Sequence, residues 1–93
     1  MKIMACCGQG LGSSFMVEMN IKKVLKKLEL DNISVSHGSA TEAFPGDADL
    51  FVVGQDLYDA MAGKGDIITL TNIVSMPELE EKLKEYFTTK GVI

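Results

Sequence analysis

Two cysteines, three glycines and two serines are concentrated in the stretch CCGQGLGSS, residues 6–14, which contains no charged residue. The glycines allow the backbone to adopt positive φ angles and to curl so that successive N–H groups point inward. The serines can cap a helix that follows, and a helix N-terminus adds about half a positive charge. The stretch therefore predicts a loop that stabilises an anion, such as a phosphate or a thiolate.

The adjacent cysteines, Cys6 and Cys7, are expected to have different roles. Cys7 is the first residue after the predicted first strand, where the field of the helix N-terminus lowers the pKa of a thiol and favours the nucleophilic thiolate. Cys6 belongs to the strand and is expected to be a buried structural thiol, because successive strand side chains alternate between faces. A redox pair is disfavoured, since redox motifs place two residues between their cysteines.

The elements that position this loop follow from the alternation of short apolar runs with segments of helical periodicity, which is typical of a parallel sheet covered by helices. The predicted strands are residues 2–6, 32–37, 49–53 and 66–70, and the predicted helices are residues 14–28, 40–44, 56–62 and the segment after Ser75. We expect one α/β domain over residues 1–93, a three-layer sandwich with a four-stranded parallel sheet of order 2-1-3-4 and helices on both faces. Ligands of such sheets bind beyond the carboxyl ends of the strands, beside strands one and three, where the loop lies.

The first and last predicted helices carry further local signals. One stripe of the first helix is apolar and is expected to face the core: Val17, Ile21, Val24, Leu25 and Leu28. Glu18 precedes Lys22 by four residues, a favourable spacing for an ion pair. For Met16 and Met19, core packing is the favoured interpretation and a docking surface is the alternative. Before the last helix, Ser75 and Glu78 have the spacing of a capping box.

The composition excludes several functions. The chain of 93 residues has a net charge of −4, and its nine basic residues are all lysines, which argues against nucleic acid binding. No apolar run approaches the length of about 20 residues that spans a bilayer, and a cytoplasmic protein is expected. Neither cysteine has a second ligand at a spacing usable for a metal, so no metal site is expected. No tightly bound cofactor is expected either.

Three other interpretations of the loop compete with covalent phosphoryl chemistry. The glycines could form a tight turn that serves packing alone. A dinucleotide site is disfavoured because Ser36 and His37 occupy the end of the second predicted strand, where an acidic ribose ligand is expected. A cysteine phosphatase has the same architecture but uses an arginine to hold the phosphoryl oxygens, and this sequence contains none. Phosphoryl transfer without hydrolysis suits the composition better.

The stretch CGQGLGSS, residues 7–14, resembles the phosphate loop of the IIB component of the bacterial phosphoenolpyruvate-dependent sugar phosphotransferase system (PTS), and its ending is most similar to the L-ascorbate type. The resemblance covers nearly the whole chain and implies the fold of flavodoxin and the low-molecular-weight phosphatases. Lactose-type and galactitol-type relatives share the fold and the cysteine but differ in the loop.

The resemblance also implies the roles of residues and partners. Cys7 would become phosphocysteine by accepting a phosphoryl group from a phosphohistidine of a IIA protein, and would pass it to the sugar at the membrane permease IIC, with which the chain would associate peripherally. The residues that match the phosphate loop are Gly8, Gln9, Gly10, Leu11, Gly12, Ser13 and Ser14. His37, the single histidine, has no such loop beside it, and a structural or loop role is expected.

Overall fold

A computed structural model describes residues 1–7, 13–30, 32–39, 44–72 and 75–93, and at Cys7, Ser13, Ser14 and Ser39 it describes the backbone only. The elements in chain order are β1 (Lys2–Cys7), α1 (Ser13–Lys27), β2 (Ser34–Ser39), β3 (Leu50–Gly54), a 3₁₀ turn (Gln55–Leu57), α2 (Tyr58–Met61), β4 (Asp66–Leu70) and α3 (Met76–Thr89). Within these ranges, no helix is long and apolar enough to cross a membrane.

The four strands form one parallel sheet in the order β2-β1-β3-β4, which confirms the predicted fold class and strand order. The bounds of β4 agree with the prediction, whereas β2 begins at Ser34 rather than at residue 32. The pairing with β1 explains this shift: Lys2 lies opposite Ser34, and the Ser34 N–H donates to the Met1 carbonyl, so the ladder has no partner strand before that point.

The sheet separates two apolar clusters, because successive side chains of each strand point to opposite faces. On one face, Ile3 and Ala5 of β1 pack beneath α1 and α3; on the other, Met4 and Cys6 pack with residues of α2. All five residues of β3 are buried, as predicted for a strand that is covered on both faces. The helices therefore lie in two layers around the sheet, and β1 and β3 are its central strands.

The segment predicted as a helix over residues 56–62 consists of the 3₁₀ turn and the single-turn helix α2. It is followed by Gly63 and Gly65, both with positive φ, which turn the chain into β4. A Cβ atom at Gly65 would lie 3.4 Å from the Phe51 ring, so this position favours glycine for both its backbone angle and its space. The short helix predicted over residues 40–44 lies mostly outside the described residues, and Phe44 is not helical.

The helix α3 contacts both ends of β4 through charged side chains. Near its start, the Glu78 N–H donates to the Ser75 hydroxyl at 3.4 Å, which confirms the predicted cap. The Glu78 carboxylate does not return to the Ser75 N–H, as a full capping box requires. It accepts instead from the N–H groups of Thr71 (2.8 Å) and Asn72 (3.0 Å), and these backbone hydrogen bonds lower the pKa of Glu78 to about 2.

At the other end, Asp66, the first residue of β4, accepts a hydrogen bond from the Tyr86 hydroxyl at 2.8 Å and pairs with Lys90 at 3.1 Å. The hydrogen bonds from Tyr86 and Lys90 hold the pKa of the Asp66 carboxyl below its usual range. Burial, together with the bond to Asp66, raises the pKa of the Tyr86 hydroxyl. Tyr86 therefore stays neutral and remains the hydrogen-bond donor of this contact.

Candidate functional site

The carboxyl edge of the sheet, where β1 and β3 end, is the place where the topology favours a ligand. The chain leaves β1 toward α1 on one face and leaves β3 toward α2 on the other, so the connections diverge between these two strands. The edge is concave: a cavity of about 570 Å³ at the ends of β3 and β4 is lined by Gly54, Gln55, Asp56, Leu70, Thr71 and Asn72.

Cys7 is the last residue of β1, rather than the first residue after the strand as predicted, and it pairs in register with Ser39, the last residue of β2. The helix α1 begins at Ser13, so only residues 8–12 connect the two elements. These five residues, predicted to bind phosphate, lie outside the described part of the chain, and the side chains of Ser13 and Ser14 are likewise outside it. The phosphate-binding roles of Gly8, Gln9, Gly10, Leu11 and Gly12 and of the two serines therefore stay predictions.

The neighbouring thiol, Cys6, has the structural role predicted for it. Its side chain is 4% exposed and belongs to the cluster formed with Phe51, Val53 and Met61 on the α2 face of the sheet. Packed into this apolar cluster, Cys6 is inaccessible to a protein partner.

A carboxylate and an imidazole are in contact beside this edge, and no sequence pattern predicted this contact. His37 lies within β2 rather than at its end, and its Nδ1 is 3.1 Å from Glu18 Oε1 on α1. The Phe15 ring contacts the imidazole edge-on, with ring centroids 5.4 Å apart. Glu18 is 7% exposed and also forms the predicted pair with Lys22, at 3.6 Å. One sequence feature could have indicated this contact: Glu18 is an acidic residue next to Val17, on the apolar stripe of the helix.

Three large apolar side chains near the start of α1 are exposed: Phe15 (49%), Met16 (38%) and Met19 (44%), which we call the α1 patch. The core role favoured for Met16 and Met19 is therefore wrong. The core side of α1 is occupied by Val17, Ile21, Val24 and Leu25, as predicted, and at 100° per residue the two methionines fall outside this stripe. The α1 patch lies within two turns of Ser13.

The described residues contain no group of three or more histidine, cysteine, aspartate or glutamate side chains arranged to hold a metal ion. Three features of the described residues lie beside the carboxyl edge: the cysteine that ends β1, the Glu18–His37 pair and the α1 patch. Such an arrangement can bind an anion at a helix start and present it to a partner that covers the exposed apolar side chains.

Comparison with known proteins adds two findings. Residues 2–85 match the model of the family described as PTS system, Lactose/Cellobiose specific IIB subunit. The chain is also 38% identical, over 90 residues, to the PTS system mannitol-specific EIICB component of Bacillus subtilis (strain 168). That alignment covers 90% of the chain but only 18% of the relative, so the chain corresponds to a small part of that larger protein.

Proposed function

The chain belongs to the PTS IIB family, whose matching model is described as lactose/cellobiose specific, and we propose that residues 1–93 act as one IIB domain that carries a phosphoryl group on Cys7. Three observations support this proposal: the family match, the position of Cys7 at the end of a central strand, and the start of α1 six residues later. The position of Cys7 carries most weight, because it puts a nucleophile where a parallel sheet with this strand order binds ligands.

The proposed cycle has two transfers. In the first, the Cys7 thiolate attacks the phosphorus of a phosphohistidine on a IIA protein; the S–P bond forms, the P–N bond breaks, and the imidazole leaves as the neutral base once it takes up a proton. In the second, a sugar hydroxyl oxygen attacks the same phosphorus, the P–S bond breaks, and the hydroxyl proton passes to a base at the permease. Both steps depend mainly on in-line alignment of the attacking atom, the phosphorus and the leaving atom.

Neutral donors are proposed to stabilise the phosphoryl oxygens. Backbone N–H groups of residues 8–12 and the hydroxyls of Ser13 and Ser14 would bind them at the N-terminus of α1, where the helix dipole favours negative charge. The complete absence of arginine supports transfer over hydrolysis, since phosphatases of comparable architecture hold the phosphoryl group with a bidentate guanidinium. No cofactor or metal is needed for either step.

The IIA phosphohistidine protein is the proposed donor and the membrane permease IIC the proposed site of delivery, with the chain in the cytoplasm beside the permease. The α1 patch supports this exchange of partners, because a donor that reaches Cys7 must approach the surface next to the start of α1. Covering exposed Phe15, Met16 and Met19 would supply the apolar contact that such a complex needs.

For the sugar we propose L-ascorbate, on the similarity of the loop ending GSS to the ascorbate type of IIB. The family description names lactose and cellobiose, and the relative from B. subtilis is named for mannitol, so these sugars are the competing substrates. Membranes that contain the cognate permease, supplied with the phosphorylated chain and each sugar in turn, would distinguish them. Transfer of the phosphoryl group from the chain to mannitol, lactose, cellobiose or galactitol, and not to ascorbate, would contradict the assignment.

Intact-mass measurement tests the carrier function directly. After incubation with phosphoenolpyruvate, the general PTS proteins and a IIA protein, we expect the chain to gain the mass of one phosphoryl group. Cys7→Ser should abolish the gain, and Cys6→Ser should retain it. Peptide mapping of the phosphoprotein then locates the modified atom.

Two results would contradict the proposal. The first is a phosphoryl group that maps to His37 or Cys6 rather than to Cys7. The second is sustained turnover of a chromogenic aryl phosphate by the isolated chain, which would indicate a hydrolase.

A further inference from the structure

The contact between Glu18 and His37 is a polar link between α1 and β2 at the margin of the apolar core, where the His37 side chain is 44% exposed. Glu18 is almost completely buried, yet its two oxygens have separate partners: Oε1 is 3.1 Å from His37 Nδ1 and Oε2 is 3.6 Å from Lys22 Nζ. Burying a carboxylate is costly unless it is paired and hydrogen-bonded. The cost is offset here, and the link joins α1 and β2 through two residues that are 19 positions apart in the sequence.

The bond also fixes the orientation of the imidazole. An ionised carboxylate only accepts hydrogen bonds, so Nδ1 carries the proton and donates it, whatever the charge of the ring. The edge-on contact with Phe15, at an interplanar angle of 83°, restrains the ring plane. With its Nδ1 and one edge engaged, His37 holds the first two turns of α1 against β2.

These two elements flank the proposed phosphoryl site. Glu18 lies five residues after the start of α1, and His37 lies two residues before Ser39, which pairs with Cys7. The link therefore connects the helix whose N-terminus would bind the phosphoryl oxygens to the strand beside β1. A movement of the helix start relative to β2 would therefore change its distance from the end of β1, which pairs with β2.

We propose that the Glu18–His37 pair is a positioning device for the phosphoryl-accepting thiol, with His37 acting through α1 and not by contact with the phosphoryl group. This inference rests on the function proposed above and extends it to two residues that the phosphate loop does not contain. It predicts that the reactivity of Cys7 depends on a hydrogen bond made more than ten residues away in the sequence.

The test is the rate of alkylation of Cys7 by iodoacetamide as a function of pH, with the modified peptide quantified by mass spectrometry. Glu18→Leu and His37→Phe both remove the hydrogen bond. Below the pKa of the thiol, we expect either change to slow alkylation about two- to fivefold, the effect of losing a helix-end interaction with the thiolate. Loss of fold stability alone would lower the unfolding temperature without slowing this reaction in the folded protein.

Glu18→Leu is the decisive variant, because loss of its charge and loss of its hydrogen bond are expected to change the alkylation rate in opposite directions. Removing a nearby carboxylate by itself favours a thiolate and would speed alkylation, so slower alkylation must come from a displaced helix start. His37→Asn is the conservative variant, because its amide Nδ2 can donate to Glu18 in place of Nδ1, and it should retain the parent rate. Lys22→Met, which removes only the other partner of Glu18, is the matched control and should also retain it.

Parent-like alkylation in Glu18→Leu would overturn the proposal, and so would equal slowing in His37→Asn and His37→Phe. If His37→Phe fails to fold, Glu18→Leu still tests the proposal, because a leucine side chain is compatible with the buried position of Glu18. The alkylation needs no phosphoryl donor. A parent chain that is not phosphorylated on Cys7 would therefore refute the proposed function separately, whatever the alkylation rates show.

Discussion

The α1 patch gives a quantitative prediction for binding of the IIA protein. Fully burying a methionine side chain contributes about 1.5–3 kcal/mol. Since 38% of Met16 and 44% of Met19 remain exposed in the free chain, a partner that covers both would gain about 1–2.5 kcal/mol from them. The double variant Met16→Ala/Met19→Ala should therefore bind IIA about 5- to 60-fold more weakly.

The assay is titration of the chain with unphosphorylated IIA, followed by calorimetry or by fluorescence of a labelled IIA. Folding should be unaffected, because both methionines are exposed and alanine has the highest helix propensity. The matched control is Ile93→Ala, since Ile93 is 48% exposed but follows α3, whose last turn lies beside the start of β4 at the opposite edge of the sheet. Equal affinity of the double variant and the parent, or an equal loss in Ile93→Ala, would refute the docking role of the patch.

Two further predictions concern the fold. The Glu78 pKa of about 2 lies below the ordinary value of 4.5, so the stabilisation from the ionised carboxylate is complete above pH 4.5 and is lost as the pH falls toward 2. The difference in unfolding temperature between the parent and Glu78→Gln should shrink over that range, and a constant difference would contradict the assigned contacts. Leu83→Ala removes a fully buried side chain and should lower the unfolding free energy by about 2–5 kcal/mol in urea titrations, against less than about 0.5 kcal/mol for exposed Glu81→Ala.

Local patterns were sufficient to predict the sheet. Strand β4 was correctly bounded because the four residues IITL after Asp66 are β-branched or apolar and lie between a glycine turn and a loop. The order of the strands followed from the alternation of elements and the handedness of crossovers. The start of β2 was wrong by two residues, since it depends on where β1 begins, which is a property of the pairing rather than of the segment.

The candidate site was predictable only in the parts that depend on neighbours in sequence. The burial of Cys6 followed from the alternation of strand side chains. The contact between Glu18 and His37 joins residues from different elements, and no periodicity within either element indicates it. The carboxylate of Glu78 shows the same limit: the spacing to Ser75 predicted the cap, but the amides of the preceding loop compete for the carboxylate.

The polar contacts of α3 with β4 have a mechanical consequence for the proposed exchange of partners. A helix that is held at its first turn by Glu78 and at its last by Tyr86 and Lys90 resists pivoting about either point. This half of the domain should move as one stiff body. Any adjustment of shape between the two proposed complexes is then expected at α1, whose polar side-chain contacts within the described residues are Glu18–His37 with β2 and Lys27–Glu80 with α3.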